Sequence, residues 1–106
     1  MLFIELPPFR EFADAHWQDD DLRRLQATLI ASPETGELIR GARGLRKMRW
    51  SLEGRGKRGG ARVIYYWVAQ DDRIYLVHAY AKNEAADLTP AQIRLLAELV
   101  RNEIDP

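Results

Sequence analysis

The strongest constraint on the fold is the run over residues 61–69, which is rich in β-branched and aromatic side chains and follows a glycine-rich basic loop over residues 56–60. Such side chains fit a pleated, half-buried strand. Glycines let a loop backbone approach a ligand closely, and cations attract anions. A strand that holds a loop of this kind is typical of a phosphate-binding protein, so we expect action on nucleic acid.

Two further strand-like runs flank this one. Residues 45–52 alternate, with apolar side chains on one side and Lys47 and Arg49 on the other,. Residues 73–81 repeat the β-rich pattern. Short connections between the three runs predict an antiparallel meander. Strict alternation then places one set of side chains on a common face of the last strand: Leu76, His78, Tyr80 and Lys82,.

Helices are predicted on both sides of the meander. Apolar residues recur at helical spacing over residues 9–17, and a second amphipathic helix begins at Asp19-Asp20-Asp21 and ends at Pro33,. The run Thr89-Pro90-Ala91-Gln92 combines an N-cap threonine, a proline at the first helical position and a capping-box glutamine,. A third helix therefore begins there.

These elements, with a short strand over residues 3–6, give the order β-α-α-β-β-β-α. We predict an α+β fold: a small antiparallel sheet flanked by two N-terminal helices and a C-terminal helix. Residues 1–106 provide enough chain for one hydrophobic core, so a single domain is expected,.

The net charge of zero conceals a strong polarity. Between Arg40 and Arg62 there are nine cations and one anion, Glu53, so this segment carries +8 and the remainder −8. Charge of one sign on neighbouring strands favours a nucleic-acid surface. The alternative, a solvated sheet face, usually alternates in sign.

Several classes of site are excluded. The chain has no cysteine and only two histidines, and it carries no triad spacing, Walker loop or dinucleotide fingerprint, so neither a metal nor a cofactor is expected,. No run approaches the roughly 18 apolar residues that a membrane span needs. The N-terminus lacks a signal-peptide pattern,. We expect a cytoplasmic protein with no membrane partner.

The available side chains suit metal-independent RNA cleavage, in which the 2′-hydroxyl attacks the adjacent phosphate. Arginine grips phosphate oxygens in bidentate fashion, and a lysine can serve as general base. We expect Arg62 to hold the scissile phosphate. Three further cations complete the predicted site: Lys47, Arg49 and Lys82.

The runs Leu45-Arg46-Lys47-Met48-Arg49, Gly56-Lys57-Arg58-Gly59-Gly60-Ala61-Arg62, Tyr80-Ala81-Lys82-Asn83-Glu84 and Asp87-Leu88-Thr89 recur in one family. Together with the element order, they resemble the RelE/HigB toxins of type II toxin–antitoxin systems, and the HigB-2-like branch in particular. The resemblance implies a ribosome-dependent endoribonuclease that cuts mRNA in the ribosomal A site. It also implies a cognate antitoxin of the helix-turn-helix type, through which alone the toxin reaches operator DNA.

Carried over by position, the resemblance implies catalytic roles for Lys47, Arg49, Arg62 and Lys82. Some relatives place a catalytic tyrosine early in the final helix, where this chain has Thr89, so Tyr80 or else Tyr66 is expected to replace it. We assign RNA or ribosome binding to a further set: Arg46, Arg55, Lys57, Arg58 and Asn83.

Two alternatives stay open. A ParE-type toxin has a similar fold and binds DNA gyrase, although such relatives generally lack the cationic set. A ribosome- or RNA-binding module would use the same basic face without turnover. The fate of the message in a translation system separates these alternatives from the endoribonuclease.

Overall fold

The computed structural model describes residues 1–50, 60–81 and 87–105. It confirms the predicted α+β class, with helices on both sides of one sheet. The elements are β1 (Leu2–Glu5), α1 (Pro7–His16), α2 (Asp19–Ala31), β2 (Glu37–Leu38), β3 (Arg46–Trp50), β4 (Ala61–Val68), a 3₁₀ turn (Ala69–Asp71), β5 (Arg73–Ala81) and α3 (Pro90–Ile104). Among the described helices, none combines the length and the apolar character that crossing a bilayer requires.

The sheet has five strands in the order β1-β5-β4-β3-β2. Strands β3, β4 and β5 form the predicted antiparallel meander. The first strand differs from the expectation of a purely antiparallel sheet, because β1 runs parallel to β5, with Leu2 opposite Arg73 and Glu5 opposite Leu76. Local spacing carries no information on a pairing between strands so distant in sequence.

A short edge strand, β2, lies outside the strands predicted from the sequence. It pairs with β3 through Glu37 and Leu38. The turn that follows is closed by a hydrogen bond from the Ile39 amide to the Leu45 carbonyl at 2.9 Å. Gly44 in this turn has φ +104°, and a Cβ there would lie 2.6 Å from the Tyr66 ring. Both the backbone conformation and the close ring require glycine at this position.

The helix starts follow local capping. The Thr89 hydroxyl of the predicted capping box accepts from the Gln92 amide at 3.1 Å, and the Gln92 side chain accepts from the Thr89 amide at 2.8 Å. The three aspartates form the first turn of α2, where Asp21 accepts from the Gln18 amide at 2.8 Å. Negative charge is favourable there because the amides of a first turn are positively polarised.

The two faces of the sheet bury different helices. Helices α1 and α2 pack on one side, which we call the α1/α2 face; its fully buried residues include Phe9, Leu25, Leu29, Val63, Tyr65 and Leu76. Helix α3 packs on the other side, which we call the α3 face; its buried residues include Leu45, Ile64, Tyr75, Val77, Tyr80 and Val100.

A β-bulge interrupts the pairing of β4 with β5. Ile64 lies opposite His78, whereas the next residue, Tyr65, lies opposite Leu76. Leu76 therefore packs on the α1/α2 face, and Tyr80 packs on the α3 face. The prediction that Leu76 and Tyr80 share a face is wrong, because a bulge adds a residue to one strand and reverses the alternation beyond it.

Candidate active site, a cationic cleft on the sheet

Three of the predicted catalytic residues form a row across the meander. Arg49 on β3 lies opposite Arg62 on β4, and Arg62 lies opposite Tyr80 on β5. Lys47 stands two residues from Arg49 and therefore on the same face of β3. Adjacent strands are about 4.8 Å apart, so these side chains converge within reach of one ligand. The fifth predicted catalytic residue, Lys82, lies outside the described residues.

Two residues of this row, Arg49 and Arg62, line a cleft of about 540 Å³ together with Lys47. Its lining residues come from β2, β3 and β4 and from the segments before β2 and α3: Thr35, Glu37, Lys47, Met48, Arg49, Arg62 and Asp87. Arg49 is exposed, and its side chain makes no hydrogen bond or ion pair within the described ranges. Its guanidinium is therefore available to an anionic ligand entering the cleft.

A carboxylate that the sequence analysis did not assign to the site lies in this cleft. Asp87 Oδ1 accepts a hydrogen bond from Tyr80 Oη at 3.2 Å and pairs with Lys47 Nζ at 3.4 Å. Asp87 precedes the N-cap of α3 by two residues and therefore lies where the chain enters that helix. No pattern in the sequence indicated this contact, because Lys47 and Asp87 are 40 residues apart along the chain.

The environment of Tyr80 keeps its phenol protonated. Burial raises the pKa of Tyr80, and the charge of Asp87 and its hydrogen bond raise that pKa further, while the charge of Arg62 lowers it. A protonated phenol beside an arginine can donate a proton or a hydrogen bond to an oxygen of a ligand. Tyr80 is buried beside the cleft and is connected to it through the hydrogen bond to Asp87.

The other candidate tyrosine, Tyr66, lies elsewhere on the α3 face. Its ring packs against Gly44 and borders a separate cavity of about 110 Å³. That cavity lies beneath the C-terminal half of α3, with Val100 and Ile104 among its lining residues. Of the two tyrosines expected to replace the one missing at Thr89, only Tyr80 contacts Asp87 and faces Arg62 among the described residues.

Arg46 is not part of this row. Its Nη1 donates to the backbone carbonyls of Gly36 at 2.8 Å and Glu34 at 3.4 Å, which holds the turn before β2. RNA binding by Arg46 therefore stays a prediction, and the structure gives this residue a packing contact. Four other residues with predicted binding roles lie outside the described ranges: Arg55, Lys57, Arg58 and Asn83.

His78 stands beside the row without joining it. Its ring stacks on that of Tyr80 with centroids 5.8 Å apart. Burial lowers the pKa of His78, and the charge of Glu11 offsets this in part, so the imidazole is neutral at neutral pH. Its Nδ1 has no hydrogen-bond partner within the described part of the chain. His78 thus supports the Tyr80 ring through an apolar contact.

The described residues contain no group of three acidic or histidine side chains close enough to hold a metal ion. The cleft instead gathers cations, and its ligand by charge is an anion.

Comparison with known proteins gives two findings. The family described as RelE toxin of the RelE / RelB toxin-antitoxin system matches residues 15–104. Among solved structures, the fold resembles a free-state mutant of E. coli toxin RelE in which two arginines are replaced by alanine, with a TM-score of 0.58 and 11% sequence identity. That likeness covers 93% of this chain and 95% of the E. coli chain. At this identity it shows the fold alone.

Proposed function

The chain belongs to the RelE toxin family of toxin–antitoxin systems, and from this premise we propose that it is a ribosome-dependent endoribonuclease that cleaves mRNA in the ribosomal A site. Membership in the family implies a cognate antitoxin as its partner. The proposal includes the HigB-2-like branch, on the strength of the run Tyr80-Ala81-Lys82-Asn83-Glu84, and a cytoplasmic location.

The observation that supports this function best is the row Arg49, Arg62 and Tyr80 beside Lys47 on one face of the meander. A phosphodiester bound there would have two guanidiniums to stabilise the charge that develops on its oxygens. Arginine suits this role because it stays protonated and offers paired donors.

The reaction proposed at this site needs no metal ion. The 2′-oxygen forms a bond to the adjacent phosphorus, the bond from phosphorus to the 5′-oxygen breaks, and a cyclic phosphate and a 5′-hydroxyl result. We assign acceptance of the 2′-hydroxyl proton to a lysine of the site, and donation of a proton to the departing 5′-oxygen to Tyr80. General acid–base steps of this kind contribute about 10² to 10⁴ in rate.

A purified translation system with mapping of mRNA ends tests the function. The wild-type protein should produce cuts within codons in the A site. Arg62→Ala should reduce the cleavage rate by about 10² to 10³, the effect of removing one donor to a developing oxyanion. Arg101→Ala is the matched control, because Arg101 is an exposed cation on α3 that lines the separate cavity. Its cleavage rate should stay close to that of the wild type.

Two results would replace this proposal with another. Loss of DNA supercoiling activity with intact mRNA would indicate a ParE-type toxin that binds gyrase. Stalled ribosomes with unbroken mRNA would indicate a ribosome- or RNA-binding module without turnover.

The proposed partner is an antitoxin of the helix-turn-helix type, through which the toxin reaches operator DNA. Co-expression of the toxin with the product of the adjacent gene, followed by purification of the pair, tests this part. Operator binding by the pair but not by the isolated toxin is the expected result.

A further inference from the structure

The cleft contains an anionic side chain, Asp87, among its cations. Lys47 Nζ and Tyr80 Oη both direct their hydrogens at one oxygen of Asp87. The proposed function places a lysine and Tyr80 at the oxygens that surround the scissile phosphate, so an anion held by both groups lies close to the position of that phosphate. Arg62 lies opposite Tyr80 in the strand pair and lines the same cleft as Asp87.

We propose that the Asp87 carboxylate is an internal counter-anion that occupies the phosphate position of the cleft, and that an RNA phosphate binds by displacing it from Lys47 and Tyr80. The identity of the incoming phosphate rests on the proposed function. The carboxylate orders the two donors before the substrate arrives and competes with the substrate for them.

The contacts of Asp87 suit an exchangeable partner. Its side chain is 71% exposed, and that of Lys47 is 35% exposed. The distances of 3.2 and 3.4 Å lie at or beyond the upper end of strong hydrogen bonds,. An exposed ion pair of this kind is weak, whereas a phosphodiester also engages Arg49 and Arg62. The incoming group would therefore add guanidinium contacts to those that it takes over from Lys47 and Tyr80.

The position of Asp87 in the chain allows its side chain to move out of the cleft. It lies before the N-cap of α3, so its side chain can swing away from the sheet while the capping box of Thr89 and Gln92 stays intact. Displacement then needs no change in the hydrophobic core.

Binding of a short oligoribonucleotide with 2′-O-methyl groups tests the proposal, since the blocked 2′-oxygen prevents cleavage. Asp87→Asn keeps the shape of the side chain and removes its charge. We expect this variant to bind the oligonucleotide about two- to fivefold more tightly than the wild type, the range expected for removal of a competing exposed ion pair. In the wild type, the carboxyl ¹³C resonance of Asp87 should shift as the oligonucleotide is added.

Glu37→Gln is the matched control. Glu37 lines the same cleft, but its side chain makes no hydrogen bond or ion pair within the described ranges, so its substitution reports the general effect of one negative charge. A smaller gain than that of Asp87→Asn is expected. An equal gain in both variants would overturn the proposal, and so would weaker binding by Asp87→Asn, which would assign Asp87 to substrate binding itself.

A kinetic measurement separates competition from support of the chemical step. A displaced counter-anion predicts that Asp87→Asn lowers KM and leaves kcat near the wild-type value, whereas a positioning role would lower kcat. Failure of the proposed function has a different signature: the wild type would bind the oligonucleotide and Asp87→Asn would bind it more tightly, but mRNA would remain uncut. If neither the wild type nor Asp87→Asn binds the oligonucleotide, the counter-anion proposal is overturned.

Discussion

The two faces of the sheet are built from the same strands but differ in what covers them. On the α1/α2 face, β4 presents Val63 and Tyr65, both fully buried. On the α3 face the same strand presents Ile64, also fully buried, and then Arg62, which opens on the cleft. The α1/α2 face is therefore covered by apolar packing that stabilises the fold. The α3 face has two parts: apolar residues pack under α3, and cations line the cleft.

The largest effect is expected from Leu25→Ala, which tests whether the α1/α2 face stabilises the fold. Leu25 is fully buried on the α1/α2 face, so its truncation should lower the free energy of unfolding by about 2–5 kcal/mol, the cost of lost burial plus a cavity,. Urea denaturation measures it. Ile30→Ala on the same helix is the control, because Ile30 is 56% exposed and its truncation should cost about 0.5 kcal/mol or less,. Equal costs would contradict a stability role for this face.

Arg49→Thr on the α3 face should reduce activity while increasing stability. Arg49 lies directly opposite Arg62, and like charges at such positions destabilise a sheet,. We expect the cleavage rate to fall by about 10², while the free energy of unfolding rises by about 0.2–1 kcal/mol. Cleavage assays and urea denaturation on one preparation measure both. A variant that loses activity and stability together would show that Arg49 serves the fold.

Tyr65→Phe tests whether the α1/α2 face also orders the turn that borders the cleft. The Tyr65 hydroxyl accepts from the Gly36 amide at 2.8 Å and donates to the Pro33 carbonyl at 2.7 Å. Loss of the hydroxyl leaves the buried Gly36 amide without that partner, at a cost of about 1–3 kcal/mol in unfolding free energy. Thermal unfolding measures the loss. An unchanged melting temperature would mean that the turn does not depend on the Tyr65 hydroxyl.

The smallest effect expected is a pH dependence from His78 on the α3 face. Burial lowers its pKa in the folded protein, whereas the unfolded chain takes up a proton near pH 6.5,. The unfolded state thus binds more protons below about pH 6.5, so stability is full above that pH and falls as the pH decreases. Melting temperatures measured across this range should show the fall, and His78→Gln should reduce it. His16→Gln, on α1, is the control and should retain it.

Features fixed by local chemistry could be predicted from the sequence. The start of α3 follows from Thr89, Pro90 and Gln92, which need only neighbours one turn away,. The placement of Lys47 and Arg49 on one face follows from alternation along a regular strand,. Both predictions depend on contacts within a few residues.

Features set by distant contacts could not be predicted. The bulge after Ile64 changes which residues of β5 face the cleft, and alternation alone misplaced Leu76 relative to Tyr80. Asp87 belongs to the cleft only because α3 returns the chain to the sheet. No spacing in the sequence records that return, since it is determined by the packing of α3 on the sheet.

The parallel pairing of β1 with β5 has a consequence for how the protein is made. Leu2 pairs with Arg73, which is 71 positions later in the chain. Strand β1 is synthesised first, but it can pair in the sheet only after β5, the last strand, has been synthesised. Closing so long a loop costs entropy and slows folding. The sheet, and with it the row that ends at Tyr80, can assemble only when translation of the chain has passed β5.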